Sequence, residues 1–109
     1  MSREVLRELM TNGHPPVLVE ALGAAYFADA HLPGAINIPA DRVDRLAPGL
    51  LPDLDADIVV YCSGTCASSQ IAAARLTALG YRRVRILTGG KEEWVEQGLP
   101  VERTSDPTS

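Results

Sequence analysis

Residues 58–69 of the chain have the sequence IVVYCSGTCASS. The segment begins with four apolar residues, reaches a cysteine, Cys62, passes through small residues and then enters a stretch with helical periodicity. We interpret it as a buried strand, a loop and the start of a helix. Such a loop directs backbone N–H groups inward and lies at the positive end of the helix dipole, so it stabilises an anion at its centre.

A thiolate at Cys62 would be such an anion, because helix N-termini favour the thiolate over the thiol. The thiolate is the nucleophilic form of cysteine, and this context therefore predicts a reactive sulfur. The alternative is an inert cysteine buried behind the strand, since free cysteine is among the most buried residue types. The residues of this segment leave both interpretations open.

The length and composition restrict the class of protein. A chain of 109 residues predicts one domain with a single core. The net charge of −4 and the small number of aromatic residues predict no nucleic-acid binding, which normally needs a basic face and aromatic platforms. No run approaches the roughly 18 apolar residues of a membrane span, and no N-terminal stretch resembles a signal peptide. We therefore expect no membrane association and a reducing, cytoplasmic location.

The two cysteines, Cys62 and Cys66, are too close in sequence for a disulfide that stabilises the fold, because this stabilisation grows with the length of the closed loop. In a reducing compartment, neighbouring cysteines instead indicate catalysis, redox chemistry or metal binding. Only His14 and His31 could join the two thiols as zinc ligands, and neither has the spacing of a zinc finger. We therefore predict no metal site.

Short apolar segments alternate with helical patterns along the whole chain, and prolines or glycines separate them. In the first half we predict a helix that Ser2 caps and that runs to about Met10, a strand over 17–19 that ends at Glu20, a helix over 24–30, a strand over 36–38, a helical turn over 41–46 and a surface connection from Pro48 to Asp57. In the second half we predict a helix over 69–79, a strand over 84–87 and a helix over 91–97.

The end of the helix over 69–79 has a specific signature. With Gly80 at the first position after the helix, Tyr81 would contact Leu76, as in a Schellman ending. The alternation of strands and helices predicts an α/β domain of three layers, with a central, mainly parallel sheet flanked by helices. This domain would cover residues 1–103, followed by a polar tail over 104–109. Ligands of such sheets bind at the carboxyl ends of the strands, where Cys62 lies.

Between Val17 and about Val101 the chain resembles the rhodanese-like domain family in four places. These are HLPGAINIP at 31–39, VVYC at 59–62, LGY at 79–81, and a closing segment with Gly89-Gly90, Trp94 and GLPV at 98–101. The resemblance implies a sulfurtransferase or sulfur-carrier module. Its cysteine attacks the outer sulfur of a donor such as thiosulfate and becomes a persulfide, from which a second nucleophile then collects the sulfur.

The resemblance also implies roles for individual residues. Cys62 would be the catalytic persulfide carrier, and Glu20 and His31 would be supporting residues, although a histidine beside a turn is also a common structural residue. The expected substrate-binding residues of the loop and the start of the helix are Ser63, Gly64, Thr65, Ala67, Ser68 and Ser69. The partner would be a small sulfur-containing anion or a thiol acceptor, with no cofactor; the oligomeric state is left open.

Three features depart from the family pattern. Glu20-Ala21-Leu22 stands where the family often has Asp-x-Arg, and the loop, counted back from Gly80 as seven residues over 62–68, lacks the usual arginine. The third feature is Cys66, a second thiol able to attack a persulfide or sulfenate at Cys62. Two alternatives therefore remain: a non-catalytic rhodanese-like binding module, and a dithiol reductase of an oxyanion or peroxide that uses Cys62 and Cys66.

Overall fold

A parallel sheet of four strands forms the centre of the computed structural model, which describes residues 1–13, 15–64 and 67–103. His14, Thr65, Cys66 and the predicted tail 104–109 therefore lie outside the described residues. The strands are β1 (Val17–Glu20), β2 (Ile36–Asn37), β3 (Asp57–Tyr61) and β4 (Arg83–Ile86), in the order β2-β1-β3-β4. All three pairings are parallel, which confirms the predicted sheet.

Helices cover both faces of this sheet. They are α1 (Arg3–Thr11), α2 (Ala24–Asp29), α3 (Val43–Leu50), α4 (Ser68–Ala78) and α5 (Gly90–Glu96), with a 3-10 turn (Ala40–Arg42) before α3. Residues of α3 and α4 form one core cluster with the sheet, and residues of α1, α2 and α5 belong to a second cluster on the opposite face. The three-layer α/β architecture is therefore confirmed. None of the helices that the described residues form is long and apolar enough to cross a membrane.

Strand β3 is buried on both faces, because it lies between β1 and β4 and beneath both helical layers. Ile58 and Val60 pack toward α3 and α4, whereas Val59 and Tyr61 pack toward α1 and α5. A parallel strand that is covered on both sides needs a continuous apolar sequence rather than an alternating one. The run of four apolar residues before Cys62 meets this requirement.

The end of α4 has the predicted Schellman geometry. The N–H of Tyr81 donates to the carbonyl of Leu76 at 3.2 Å, and the N–H of Gly80 donates to the carbonyl of Thr77 at 3.1 Å. Gly80 has a φ of +105°, a conformation that glycine adopts without the steric cost of a side chain. This ending directs the chain from α4 into β4.

The predicted end of the helical turn over 41–46 and the predicted start of the surface connection at Pro48 were both wrong. The helical turn expected over 41–46 is the longer helix α3, which continues through Pro48 and Gly49 to Leu50. Tertiary packing explains the difference, because Val43 and Ala47 on this helix are fully buried. The hydroxyl of Tyr81 also lies 3.0 Å from the carbonyl oxygen of Ala47. The stabilisation from these contacts offsets the loss of the backbone hydrogen bond that Pro48 cannot donate within the helix.

The other differences are smaller. Asp57 belongs to β3 rather than to the connection before it, where it pairs in register with Arg83 on β4. Helix α4 begins at Ser68, one residue before the predicted start. The segment between β3 and α4 therefore runs from Cys62 to Ala67, which is six residues and not the seven counted from the sequence.

Candidate functional site

Cys62 directly follows β3 at the carboxyl edge of the sheet and is 1% exposed. Its Sγ lies 3.6 Å from the hydroxyl oxygen of Ser69 and 3.5 Å from the carbonyl oxygen of Gly64. Ser69 is itself buried, with an exposed fraction of 4%, and belongs to the first turn of α4. A hydroxyl in this position can donate a hydrogen bond to a negatively charged sulfur.

The first turn of α5 holds the beginning of the loop. The N–H of Lys91 donates to the carbonyl of Cys62 at 2.8 Å, and the N–H of Glu92 donates to the carbonyl of Ser63 at 2.6 Å. The first N–H groups of a helix have no partner within the helix, so the loop carbonyls satisfy two of them. The position of Cys62 is therefore fixed by α5 as well as by β3.

The close approach of α5 to the loop depends on Gly90. A Cβ atom added to this residue would lie 2.5 Å from the carbonyl oxygen of Cys62 and 3.0 Å from the nitrogen of Gly64. Gly90 also has a φ of +58°, in the left-handed region. Any other residue here would push the helix away from the loop.

A buried ion pair lies behind the loop, on the α5 face of the sheet. Glu20 at the end of β1 is fully buried, and its Oε1 lies 3.1 Å from Nζ of Lys91. The same ammonium group donates to the carbonyls of Ala30, at 2.7 Å, and Tyr26, at 3.0 Å. Lys91 thus joins β1, α2 and α5 through its three donors, while Oε2 of Glu20 has no hydrogen-bond partner among the described residues.

Tyr61 lies on the same face of the sheet as Glu20, beside it in the register of β1 and β3. Its hydroxyl oxygen accepts a hydrogen bond from the N–H of Leu32 at 3.1 Å. Burial, together with the nearby carboxylate of Glu20, raises the pKa of Tyr61 well above its ordinary value. Tyr61 therefore stays protonated and neutral.

His31 makes contacts away from the loop. Its ring stacks on Phe27 at a centroid distance of 3.8 Å, and its Nδ1 donates to the carbonyl of Phe27 at 2.8 Å. Its Nε2 lies 3.8 Å from a carboxylate oxygen of Glu102, and the backbones of His31 and Glu102 exchange two hydrogen bonds. These contacts tie the segment after α5 to the end of α2 and support the structural interpretation of His31.

A shallow groove of about 220 Å³ opens beside the loop. It runs between the start of α4 and the end of β4, and its lining comes from residues 64, 69–70 and 86–89. Because Gly64 and Ser69 both contact the sulfur of Cys62, this groove leads to the candidate nucleophile.

The structure brings together part of the predicted site. Ser63, Gly64 and Ser69 lie around Cys62, and Glu20 lies behind the loop through its pairing with Lys91. Ala67 is exposed and Ser68 is half-buried, both at the start of α4. Sequence reasoning missed Lys91 and its pairing, although a lysine in a first helical turn, opposite to the dipole preference, was a usable signal.

The family model of the rhodanese-like domain matches residues 2–97 of this chain. Among curated proteins, the chain is similar to the HTH-type transcriptional regulator Rv0324 of Mycobacterium tuberculosis, with 40% identity over 88 residues, covering 78% of this chain and 37% of that protein. It is also similar to the adenylyltransferase and sulfurtransferase UBA4 of Candida albicans, with 34% identity over 93 residues, covering 79% of this chain and 21% of that protein. The chain thus spans well under half of either relative.

Solved structures show the same fold. The thiosulfate sulfurtransferase of Pseudomonas aeruginosa matches with a TM-score of 0.83 and 29% identity, covering 94% of this chain and 19% of that chain. The rhodanese-like domain of the Alr3790 protein of Anabaena sp. matches with a TM-score of 0.81 and 28% identity, covering 100% of this chain and 84% of that chain. The family model matches most of this chain, and together with these structures it shows that the chain belongs to the rhodanese-like domain family.

Proposed function

We propose that this domain is a sulfurtransferase or sulfur carrier in which Cys62 forms a persulfide. The observation that carries the proposal is the position of Cys62 at the carboxyl end of β3, with its sulfur 3.6 Å from the buried hydroxyl of Ser69. Relatives and structural neighbours named as sulfurtransferases add to its support.

In the first step, the thiolate of Cys62 attacks the outer sulfur of a donor such as thiosulfate. A new S–S bond forms at Sγ while the S–S bond of thiosulfate breaks, and sulfite leaves with the electron pair. In the second step, an acceptor thiolate attacks the outer sulfur of the persulfide and takes it away, which regenerates the thiolate of Cys62. Neither step needs an external oxidant or reductant, so no cofactor is needed.

The residues around Cys62 have roles in these steps. In the thiolate form of Cys62, the hydroxyl of Ser69, 3.6 Å from Sγ, would donate to the charged sulfur. Backbone amides of the loop would add to the stabilisation of the thiolate and the persulfide. The low exposure of Cys62 keeps bulk water away from the persulfide, and the groove beside Ser69 provides the approach for donor and acceptor.

Cys66 lies outside the described residues, and its role is proposed from its spacing in the sequence. Its thiolate would attack Sγ of the persulfide at Cys62 and release the outer sulfur as hydrosulfide. The product of this step is a disulfide between the two cysteines, which an external thiol must reduce before the next turnover.

The test is a donor screen followed by mass spectrometry of the reduced protein. After incubation with thiosulfate or a small-molecule persulfide, we expect the addition of one sulfur atom, localised to Cys62 by tandem fragmentation. The Cys62→Ser variant should not gain this sulfur. The Cys66→Ser variant should keep the persulfide longer than the original protein and should release no sulfide. If no donor adds sulfur to Cys62 and none leads to sulfide release, the proposal is wrong.

The absence of arginine from the loop favours a second candidate, a binding module without sulfur transfer. Alkylation of Cys62 across a range of pH separates the two, because a carrier needs the thiolate at neutral pH. Fast alkylation at neutral pH is expected of the sulfur carrier, and slow alkylation that accelerates only in alkali is expected of the binding module. A dithiol reductase would instead accumulate the disulfide during turnover of arsenate or peroxide.

A further inference from the structure

We infer that Glu92 is a specificity-determining residue that selects sulfur donors with at most one negative charge over dianions such as thiosulfate. The inference rests on the proposed function, since it concerns the donor that loads sulfur onto Cys62. It comes from the position of one carboxylate above the loop.

The carboxylate of Glu92 lies directly over Gly64. One of its oxygens is 3.0 Å from the point where Gly64 would carry a Cβ atom, so it occupies the space of the missing side chain. Gly64 in turn contacts the sulfur of Cys62 through its carbonyl oxygen at 3.5 Å. This chain of contacts limits the separation between the carboxylate and the sulfur to about 10 Å, given standard bond lengths.

The backbone prevents Glu92 from moving far from this place. Its N–H donates to the carbonyl of Ser63 at 2.6 Å, and its Cβ lies 3.9 Å from the Cβ position of Gly64. Although the side chain is exposed, rotation about its bonds therefore leaves the carboxylate within about 8 Å of the Cβ position of Gly64, given standard bond lengths.

The cations near the loop are already paired with other groups. Lys91 points inward to Glu20 and two backbone carbonyls, and Arg3 pairs with Glu93 and Glu4. The N-terminal ammonium group donates to the carbonyl of Ile86 at 2.8 Å. In the described part of the chain, Glu92 has no ion pair. The sequence of the loop also contains no lysine or arginine, and the net charge of the whole chain is −4.

An unpaired charge at this distance acts on a donor according to the donor's own charge. The repulsion of a dianion is twice that of a monoanion in the same position, because Coulomb energy is proportional to the product of the charges. The Debye length is about 10 Å at 0.1 M salt and about 30 Å at 0.01 M, so the repulsion is largely unscreened at low salt. The site therefore favours persulfides and other sulfane donors that carry one negative charge or none.

The test compares two donors with the same type of S–S bond, thiosulfate as the dianion and methanethiosulfonate as the monoanion. The measured quantity is the second-order rate constant for loading sulfur onto Cys62, followed by release of sulfite or sulfinate at low salt. We expect Glu92→Gln to raise the rate constant for thiosulfate about three- to ten-fold. The expected gain for the monoanion is about the square root of that factor.

Two further variants complete the experiment. Glu92→Lys should increase the gain for thiosulfate further, and high salt should reduce the gains of both variants. Glu8→Gln is the matched control, because it removes the same charge from an exposed position of α1. Glu8 lies two residues before Met10, which lines a surface cavity together with Pro16 and Leu18 at the opposite end of β1 from the loop. Its loading rates should change much less than those of Glu92→Gln, because Coulomb energy falls with distance.

The outcomes distinguish the inference from the proposed function. If sulfur loads onto Cys62 but Glu92→Gln leaves the ratio of the two donor rates unchanged, the inference is wrong and the proposed function stands. An equal change of that ratio in Glu8→Gln would also overturn it. If neither donor loads sulfur in any variant, both fail.

Discussion

The ammonium of Lys91 and the carboxylate of Glu20 form an ion pair at 3.1 Å that joins the first turn of α5 to the end of β1. Glu20 is fully buried, and the side chain of Lys91 is 12% exposed. Because the N–H of the same lysine holds the carbonyl of Cys62, the pair connects the interior of the sheet to the loop that carries the candidate nucleophile.

This arrangement predicts a large loss of stability when one partner is removed. Lys91→Met leaves the buried carboxylate of Glu20 without its partner, and we expect it to lower the free energy of unfolding by about 3–5 kcal/mol. Urea unfolding measures the change. The double variant Glu20→Met with Lys91→Met should cost less than the sum of the two single variants, since it leaves no uncompensated charge. Additive costs would show that the two charges do not interact.

Gly90→Ala tests the contact between α5 and the loop. The new Cβ atom would lie 2.5 Å from the carbonyl oxygen of Cys62, so the helix must shift and the loop must move with it. We expect a cost of about 2–4 kcal/mol in the free energy of unfolding, combining overpacking with backbone strain. We also expect a lower rate of sulfur loading.

The matched control is Gly98→Ala. Gly98 also has a positive φ, of +70°, but a Cβ atom there would meet nothing within 4 Å. Its substitution should cost only the backbone strain, about 1 kcal/mol, and should leave the loading rate unchanged. Equal effects of the two substitutions on loading would contradict the role of Gly90 as a contact point for the loop.

The raised pKa of Tyr61 predicts a specific dependence of stability on pH. An unfolded tyrosine ionises near pH 10, whereas buried Tyr61 beside Glu20 holds its proton to higher pH. Above about pH 10 the folded state therefore binds more protons than the unfolded state. Because of Tyr61, the free energy of unfolding therefore falls above this pH by up to about 1.4 kcal/mol per pH unit. Its contribution is fully present below pH 10 and is lost as the pH rises.

Comparison with Tyr61→Phe isolates this effect. At neutral pH the variant should be less stable by about 1–3 kcal/mol, because the buried N–H of Leu32 loses its acceptor. The difference between the two proteins should shrink as the pH rises above 10, measured by urea unfolding at each pH. Tyr26→Phe is the control, since Tyr26 is 62% exposed. A constant difference for Tyr61→Phe across this range would argue against the raised pKa.

Ser69→Ala tests the hydroxyl beside the sulfur. Loss of a donor 3.6 Å from Sγ should slow the loading of Cys62 by roughly ten-fold, as expected for one charge-assisted hydrogen bond of about 1.5 kcal/mol. Stopped-flow measurement of donor consumption gives the rate. Thr77→Val removes a hydroxyl from the same helix, where it bonds to the carbonyl of Ala73, and should not change loading. An unchanged rate in Ser69→Ala would exclude a role for this hydroxyl in the first step.

Local sequence patterns predicted much of the architecture. The apolar run of β3, the Schellman ending at Gly80 and the alternation of strands and helices each reflect interactions between residues close in the chain, and all three were confirmed. The extent of α3 was wrong because proline and glycine have low helix propensity, whereas burial of Val43 and Ala47 decides the conformation there.

The sequence by itself determined the fold class and placed Cys62 at the end of a central strand, because burial on both faces and turn chemistry are encoded locally. Only the tertiary structure decided which charges surround the loop. It paired Glu20 with Lys91, 71 positions away, and placed Glu92 over Gly64. Such contacts depend on which strand ends and helix ends meet in space. The strength of an electrostatic interaction depends on the distance between two charges in space and not on their separation along the chain.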